Sequence, residues 1–276
     1  MTSTPSTSPD SDEDFQLPLA AAELYEERFV PTVFAEWAPV TLDAAAIGSG
    51  QRLLDVACGT GIVARTAHRD HGAEVVGVDR NQAMLTVAAR VEPAVDWRRA
   101  DVAELPLGDD EVDVATCQMA FMFFPDRLRA LTEMVRVVRP GGRIAIVVPA
   151  SIDAQPGYGP FVDVVADHCG PEARSLLGTY WNCGDLPAFA AAVTEAGATV
   201  LESRTRAGSA RFASVRDFVD TEIDGSPLAE RIADDERAAV VADLAPLLDG
   251  YGTEEGTLTI PLLCHVLSAE VPTAGA

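Results

Sequence analysis

Short apolar runs alternate with segments of helical periodicity along most of the chain. The runs have the length and β-branched content of buried strands, and they cover residues 52–57, 74–79, 95–100, 112–118 and 143–149. Between the last two, the pattern predicts a helix that Pro140 and Gly141 end. Its predicted apolar stripe consists of Leu128, Leu131, Val135 and Val138.

This alternation predicts an α/β fold, in which a Rossmann-like, doubly wound and mostly parallel sheet is covered by helices on both faces. A later helix, 186–197, and two further strands, 198–207 and 257–270, continue the pattern. Ligands of such sheets bind at the carboxyl ends of the strands.

The rest of the chain divides by composition. Residues 1–18, rich in Ser, Thr, Pro and Asp, predict a disordered acidic tail, and residues 19–276 predict a single domain. Within it we expect N-terminal cap helices over 19–47. We also expect helical lid insertions at about 150–185 and 207–250, which would cover the ligand site.

Charge and composition exclude several functions. The net charge is −23, and all 20 basic residues are arginine because the sequence contains no lysine. A field of this sign repels phosphate backbones, so we expect no nucleic-acid partner. The lack of lysine excludes Schiff-base and pyridoxal-phosphate chemistry and the P-loop.

Cysteine spacing and hydropathy narrow the class further. The 5 cysteines are scattered without a C-x-x-C pair, so we predict neither a disulfide framework nor a metal site. Apolar runs long enough for a bilayer span and a signal-peptide pattern are both absent from the sequence. We therefore expect a cytoplasmic protein with no membrane insertion.

The most informative motif is LLDVACGTG at residues 53–61, in which a strand runs into a glycine turn. Gly59-x-Gly61-x-x-Ala64 fits the dinucleotide fingerprint, and Asp79 follows about 20 residues later, at a strand end where it could hold ribose hydroxyls. Taken alone, this spacing is compatible with an NAD-linked oxidoreductase.

Two further acids favour a different nucleotide. Asp55 lies within the first strand, where a carboxylate suits an ammonium-bearing ligand better than a pyrophosphate. Asp101 follows the third strand, where it would accept a hydrogen bond from the exocyclic amine of adenine. With Asp79 on the ribose, the three acids match a nucleoside that carries an amino acid.

At this point the chain resembles the class I S-adenosylmethionine-dependent methyltransferases, and more narrowly the ubiquinone/menaquinone methyltransferase branch with its small-molecule relatives. The resemblance covers about residues 45–150 and rests on LLDVACGTG, VVGVDRNQAML, RADVAELPL, DVATCQMAFMFFPDR and RVVRPGGRIAIV. It implies a seven-stranded sheet whose last strand is antiparallel, with S-adenosyl-L-methionine as cofactor.

The resemblance also implies a set of cofactor-binding residues. By motif it assigns the methionine part to Asp55, Ala57, Gly59 and Gly61, the ribose to Asp79, the adenine to Arg80, Met84, Asp101 and Val102, the sulfonium end to Gln118, and the cover to Tyr25 and Phe29.

Aromatic residues predict the acceptor site, because an aromatic lining sheds water and its ring faces attract a sulfonium. The predicted lining is Phe121, Met122, Tyr158, Tyr180 and Trp181. His168 is the predicted general base, since imidazole titrates near neutral pH. The alternatives are a hydrophobic core for the lining and a solvated helix face for His168.

These observations predict methyl transfer to an oxygen, nitrogen or carbon of a small, largely apolar molecule, as in natural-product biosynthesis. Two alternatives stay open. One is an NAD-linked oxidoreductase. The other is a methyltransferase-fold protein that binds the cofactor and catalyses a non-methylating reaction such as a cyclisation.

Overall fold

The computed structural model describes residues 18–226, 228–229, 231–253 and 255–273, so the predicted tail lies outside the described residues except for its last position. Within these ranges seven strands form one sheet. They are β1 (Arg52–Val56), β2 (Glu74–Asp79), β3 (Asp96–Arg99), β4 (Val112–Gln118), β5 (Val138–Pro149), β6 (Thr199–Phe212) and β7 (Leu258–Glu270).

The strand order is β3-β2-β1-β4-β5-β7-β6. Strands β1 to β5 pair in parallel, whereas β7 runs antiparallel to both of its neighbours. The predicted α/β class and the antiparallel last strand are therefore confirmed. Because the order reverses between β1 and β4, a crevice opens at their carboxyl ends.

Helices precede the sheet, connect its strands and cover its carboxyl edge. They are α1 (Leu19–Leu24), a π-helix (Tyr25–Phe34), α2 (Trp37–Ala45), α3 (Ile62–His71), α4 (Gln82–Val91), α5 (Arg127–Val137), α6 (Tyr158–Cys169), α7 (Pro171–Gly178), α8 (Leu186–Glu195), α9 (Val215–Asp224) and α10 (Asp234–Leu248).

Alternate strand residues enter two hydrophobic clusters, as expected for strands buried on both faces. Leu53 and Val75 pack in the cluster that contains Leu42 of α2. Leu54 and Val76, one position further along each strand, belong to the larger cluster that contains Leu131 of α5. The sheet thus lies between two layers of helices.

Two predicted boundaries are wrong. Helix α5 ends at Val137, and β5 begins at the next residue, where Val138 pairs with Val112. Proline disfavours helical backbone at the residue before it, so Pro140 acts upstream of its own position. The predicted stripe is only partly correct, because Leu128 is exposed and Val138 belongs to a strand.

Strand β6 is also longer than predicted. It continues to Phe212 because it pairs with β7 as far as Leu258. The first residues of the predicted 207–250 insertion are therefore strand, and its helices are α9 and α10. The 150–185 segment contains α6 and α7.

Candidate active site

The glycine turn connects β1 to α3. Gly59 and Gly61 have φ angles of +54° and +86°, in the left-handed region that favours glycine. A Cβ on Gly61 would overlap the ring of Trp97, so this position has no room for another residue. The turn is tied to β2 because the Cys58 amide donates to the Val78 carbonyl, 2.9 Å away.

Asp55 lies beneath the turn and is almost fully buried. Its carboxylate accepts hydrogen bonds from the Ala64 amide at 3.0 Å and from the Thr116 hydroxyl at 3.1 Å. Burial raises the pKa of Asp55 to about 7, although both hydrogen bonds act in the opposite direction. Asp55 therefore holds the turn between β4 and α3, and its contact with a ligand ammonium stays a prediction.

Asp79 stands at the carboxyl end of β2, beside the turn. One carboxylate oxygen accepts from the Gly59 amide and the other from the Asn81 amide, each at 2.8 Å. The Arg80 backbone also bonds to this carboxylate, and a carboxylate has about four acceptor sites, so the group can still accept a hydroxyl donor. Burial raises the pKa of Asp79, and the two amide hydrogen bonds oppose this effect.

The residues predicted to surround an adenine lie along the rim beyond β2 and β3. Asp101 is exposed there, and one of its oxygens accepts from the Ala103 amide at 2.8 Å. Arg80 and Val102 are half-buried. Met84 is buried in a small cluster with Ala22 and Val87, so this side of the rim also supports the N-terminal helices.

Three aromatic rings of the π-helix, Tyr25, Phe29 and Phe34, form a group that we call the aromatic cap. Tyr25 stacks on Phe29 and Phe34, with ring centroids 5.9 and 5.1 Å apart. Its hydroxyl lies 3.6 Å from the position that a Cβ on Gly59 would take. The cap therefore covers the glycine turn directly.

Residues 54–146 match the model of a family described as methyltransferase domain. These residues include the glycine turn and all three predicted acids. This part of the chain, residues 54–146, is a methyltransferase domain. This assignment favours the methyltransferase prediction over the NAD-linked oxidoreductase.

Curated relatives match part of the chain. The chain is 33% identical over 132 residues to a demethylmenaquinone methyltransferase of Renibacterium salmoninarum, an alignment that covers 48% of this chain and 54% of the relative. The chain thus spans about half the length of the curated relatives that it matches.

Solved structures reproduce the fold at low sequence identity. A putative methyltransferase from Bacillus halodurans superposes with a TM-score of 0.60 at 18% identity, covering 86% of this chain and 99% of that one. The [4+2]-cyclase SpnF superposes with a TM-score of 0.54 at 22% identity, covering 87% and 82%.

Gln118 is the last residue of β4, and both polar atoms of its side-chain amide form hydrogen bonds within the protein. Its oxygen accepts from the Thr41 hydroxyl at 2.8 Å, and its nitrogen donates to the Phe34 carbonyl at 3.1 Å. Gln118 therefore anchors the π-helix and α2 to the sheet. To contact a sulfonium, as predicted, the Gln118 amide would have to break one of these hydrogen bonds.

Two residues at the crevice have left-handed backbone that side chains rarely adopt. Ala57 follows β1 with φ +53°, and Met119 follows β4 with φ +50°. Such strain persists only where the surroundings impose it, and it clusters at ligand sites. Ala57 is a predicted cofactor residue, whereas Met119 was missed because its residue type gives no signal for this conformation.

The predicted acceptor lining after β4 needs correction. Phe121 and Met122 are buried, and Phe121 packs against Phe189 with centroids 5.3 Å apart. They belong to the core, as the alternative interpretation proposed. Phe123 is instead half-buried and meets Tyr180 edge to face at 5.2 Å.

We call Phe123, Tyr158, Tyr180 and Trp181 the aromatic roof. Tyr158 is its inner member and is about as buried as Phe121, whereas the other three are half-buried. Tyr158 packs against Trp181 with ring centroids 5.1 Å apart. The hydroxyl of Tyr180 donates to the Gly225 carbonyl at 3.1 Å. A Cβ on Gly225 would overlap the ring of Phe29, so the end of α9 lies directly against the aromatic cap.

Glu222, which sequence reasoning missed, lies among these aromatic side chains. Its carboxyl accepts a hydrogen bond from the Tyr158 hydroxyl at 3.1 Å. Burial raises the pKa of Glu222 to about 7, and the bond from Tyr158 limits this rise. No motif marks Glu222, because it is one of several acids on a polar helix.

The predicted general base has a surface position. His168 is exposed at the end of α6, and its Nε2 lies 2.8 Å from the Asp243 carboxylate, which is itself exposed on α10. A base for a water-excluded acceptor must reach that acceptor, so this placement favours the solvated helix face over the catalytic role. His168 pairs two helices at the surface.

The described residues contain neither a cluster of metal ligands nor a helix that could span a membrane. No three histidine, cysteine, aspartate or glutamate side chains of the described residues are grouped to hold a metal ion. None of the described helices combines the length and hydrophobicity that a membrane span requires.

Proposed function

We propose that this protein transfers the methyl group of S-adenosylmethionine to a small, largely apolar acceptor. The observation that carries the proposal is the position of Asp79, whose carboxylate stands at the end of β2 and is bonded to the Gly59 amide under the ring of Tyr25. The methyltransferase-domain match over residues 54–146 supports the choice of cofactor. A cytoplasmic natural-product pathway remains the proposed setting, on the motif resemblance alone.

The residues at the crevice fit this cofactor. The Asp79 carboxylate keeps a lone pair for a ribose hydroxyl beyond its backbone hydrogen bonds, and Asp101 has one oxygen beyond its bond to Ala103 for an adenine amine. The hydroxyl of Thr60 is buried within the turn and has no hydrogen-bond partner among the described residues. A polar ligand on the turn would satisfy it.

The acceptor faces the aromatic roof. A lining of phenylalanine, tyrosine and tryptophan binds flat apolar molecules and excludes water. The relative from Renibacterium salmoninarum is named for a demethylated menaquinone, which is a molecule of this kind. We therefore propose an aromatic, quinol-like acceptor for this chain as well.

The bound cofactor supplies an electrophilic methyl group, and this chain supplies position and environment. The glycine turn and Asp79 would fix the nucleoside, and the aromatic cap would fix its exposed side. Holding the reacting atoms in line at about 3 Å can supply most of the rate. Because displacement disperses charge, the water-excluding roof favours the transition state over the reactants.

Calorimetric titration tests the cofactor. We expect S-adenosylmethionine and S-adenosylhomocysteine to bind at one site per chain, and NADH not to bind. Binding of NADH alone would contradict the proposal. Methyl-labelled cofactor with 1,4-naphthohydroquinone, a catechol and an aromatic amine would then show which acceptor gains the label.

A second candidate is a non-methylating reaction on the same cofactor site. The observation in its favour is the likeness of the fold to the [4+2]-cyclase SpnF, which extends over 87% of this chain. The labelled-cofactor assay separates the two candidates, since a converted but unlabelled product would favour this one.

A further inference from the structure

We propose that Glu222 is a catalytic base, held by the Tyr158 hydroxyl, that removes a proton from the acceptor's nucleophilic oxygen. The acceptor would then be a phenol or hydroquinone rather than a molecule whose nucleophile carries no ionisable proton. This inference rests on the proposed function. Glu222 then takes the role that the sequence predicts for His168.

Contacts connect Glu222 to the glycine turn through the cap and the roof. Tyr25 covers Gly59, and Phe29, stacked on Tyr25, contacts Gly225 one turn after Glu222 on the chain. From the other side, Tyr180 donates to the Gly225 carbonyl. These contacts connect the end of α9, three residues after Glu222, to the glycine turn.

In the part of the chain that the structure describes, no arginine pairs with Glu222. Tyr158 of α6 donates to it, and the charge of Glu222 contributes to the raised pKa of Tyr180. Cys264 of β7 also contributes to the raised pKa of Tyr158. Arg237 of α10 pairs with Asp224 at 2.8 Å and with Asp220 at 3.7 Å.

The positions of these acids explain why Arg237 does not neutralise Glu222. Asp220 and Asp224 share one face of α9, and Glu222 lies two residues from each, on the other side of the helix. With a pKa of about 7, Glu222 is half ionised near neutral pH, which is the range in which a base is most effective.

The proposed step moves one proton to Glu222 and one methyl group to the acceptor. The O–H bond of the acceptor breaks, and Glu222 takes the proton. The oxygen lone pair forms a bond to the methyl carbon while the carbon–sulfur bond breaks, and that electron pair stays on the sulfur as a thioether. Glu222 returns its proton to water after the products leave.

Infrared spectroscopy tests the placement without turnover. In the full chain saturated with S-adenosylhomocysteine, we expect a protonated-carboxyl band that titrates near pH 7 and that 1,4-naphthohydroquinone shifts. Glu222→Gln should remove this band, and the exposed control Glu195→Gln should retain it. The band of Asp55 should persist in both variants, and a band that ignores the probe would overturn the inference.

Rates with labelled cofactor test the chemistry. Glu222→Gln should keep the cofactor affinity within about twofold and lose about 100-fold or more in turnover at pH 7. The loss should shrink at alkaline pH, where the hydroquinone ionises unaided, which a merely structural defect would not produce. Unchanged turnover with normal cofactor binding would overturn this inference alone.

The Tyr158→Phe variant gives an independent readout. Because the Tyr158 bond lowers the pKa of Glu222, its removal should move the rising limb of the turnover–pH profile to higher pH. An unmoved limb would contradict the positioning role of Tyr158. Absence of cofactor binding by the unaltered protein would overturn the proposed function and this inference together.

Discussion

The glycine-turn side of the crevice and the aromatic roof are built in different ways. At the turn, the acids bond to backbone amides near them in the chain or on the next strand, as Asp79 does with Asn81 and Gly59. In the roof, Tyr158 meets Glu222 across 64 residues and Tyr180 meets Gly225 across 45. A general cofactor site can thus be encoded locally, whereas the acceptor site depends on how distant segments pack.

Asp79→Asn should weaken cofactor binding at the glycine turn more than any other variant proposed here. The asparagine places an amide nitrogen where a carboxylate oxygen now accepts a backbone donor, and it removes the charge that strengthens hydrogen bonds to ribose hydroxyls. Loss of charge-assisted bonds corresponds to about a 100-fold weaker affinity for S-adenosylmethionine, measurable by calorimetry. Asp70→Asn, the same change on the exposed face of α3, is the control, and equal affinities in the two variants would contradict the assignment.

Asp55→Asn should remove the pH dependence that the buried Asp55 carboxyl gives to the stability of the fold. Burial raises the pKa of Asp55 to about 7, so between about pH 4 and 7 the folded chain keeps a proton that the unfolded chain has released. Stability is lost as pH rises through this range, and the wild type should lose about 2 kcal/mol relative to Asp55→Asn between pH 5 and 8. Urea unfolding of both proteins at each pH measures this. A difference that does not change with pH would show that Asp55 titrates as an exposed acid.

The fold could be predicted from the sequence because its signals are local. Buried parallel strands appear as apolar runs, and the turn needs glycine at positions such as Gly61, where the Trp97 ring leaves no room for a Cβ. The boundary errors have physical causes that act at longer range. Strand β6 extends to Phe212 only because β7 offers it a partner along its whole length.

The candidate site could be predicted where motif and chemistry coincide. Asp79 and the glycines lie where the sequence places them, because strand ends of a parallel sheet converge. The acceptor side was predicted less well. Phe121 and Phe123 are two residues apart in one aromatic run. Only their packing, against Phe189 and Tyr180 respectively, shows that Phe121 belongs to the core and Phe123 to the aromatic roof.

Tyr25 tests whether the aromatic cap belongs functionally to the turn side. Tyr25→Ala removes a ring that stacks on Phe29 and Phe34 over Gly59. Loss of such a contact is worth about 1.4 kcal/mol, or about tenfold in cofactor affinity. Tyr25→Phe keeps the ring and should remain within about twofold. Equal losses in both variants, measured by calorimetry, would assign the effect to the hydroxyl instead.

His168→Asn should have the smallest effect on turnover, and it tests whether the acceptor site extends to the outer end of α6. The His168–Asp243 pair is exposed on the surface of α6 and α10, where a contact between two such side chains contributes about 0 to 1 kcal/mol to stability. We expect turnover of any labelled acceptor within about twofold of wild type, with no change in its pH profile. If His168→Asn instead removed the acid limb of that profile while Glu222→Gln left it intact, the base would lie on α6, and the acceptor would bind nearer the outer end of the helical cover.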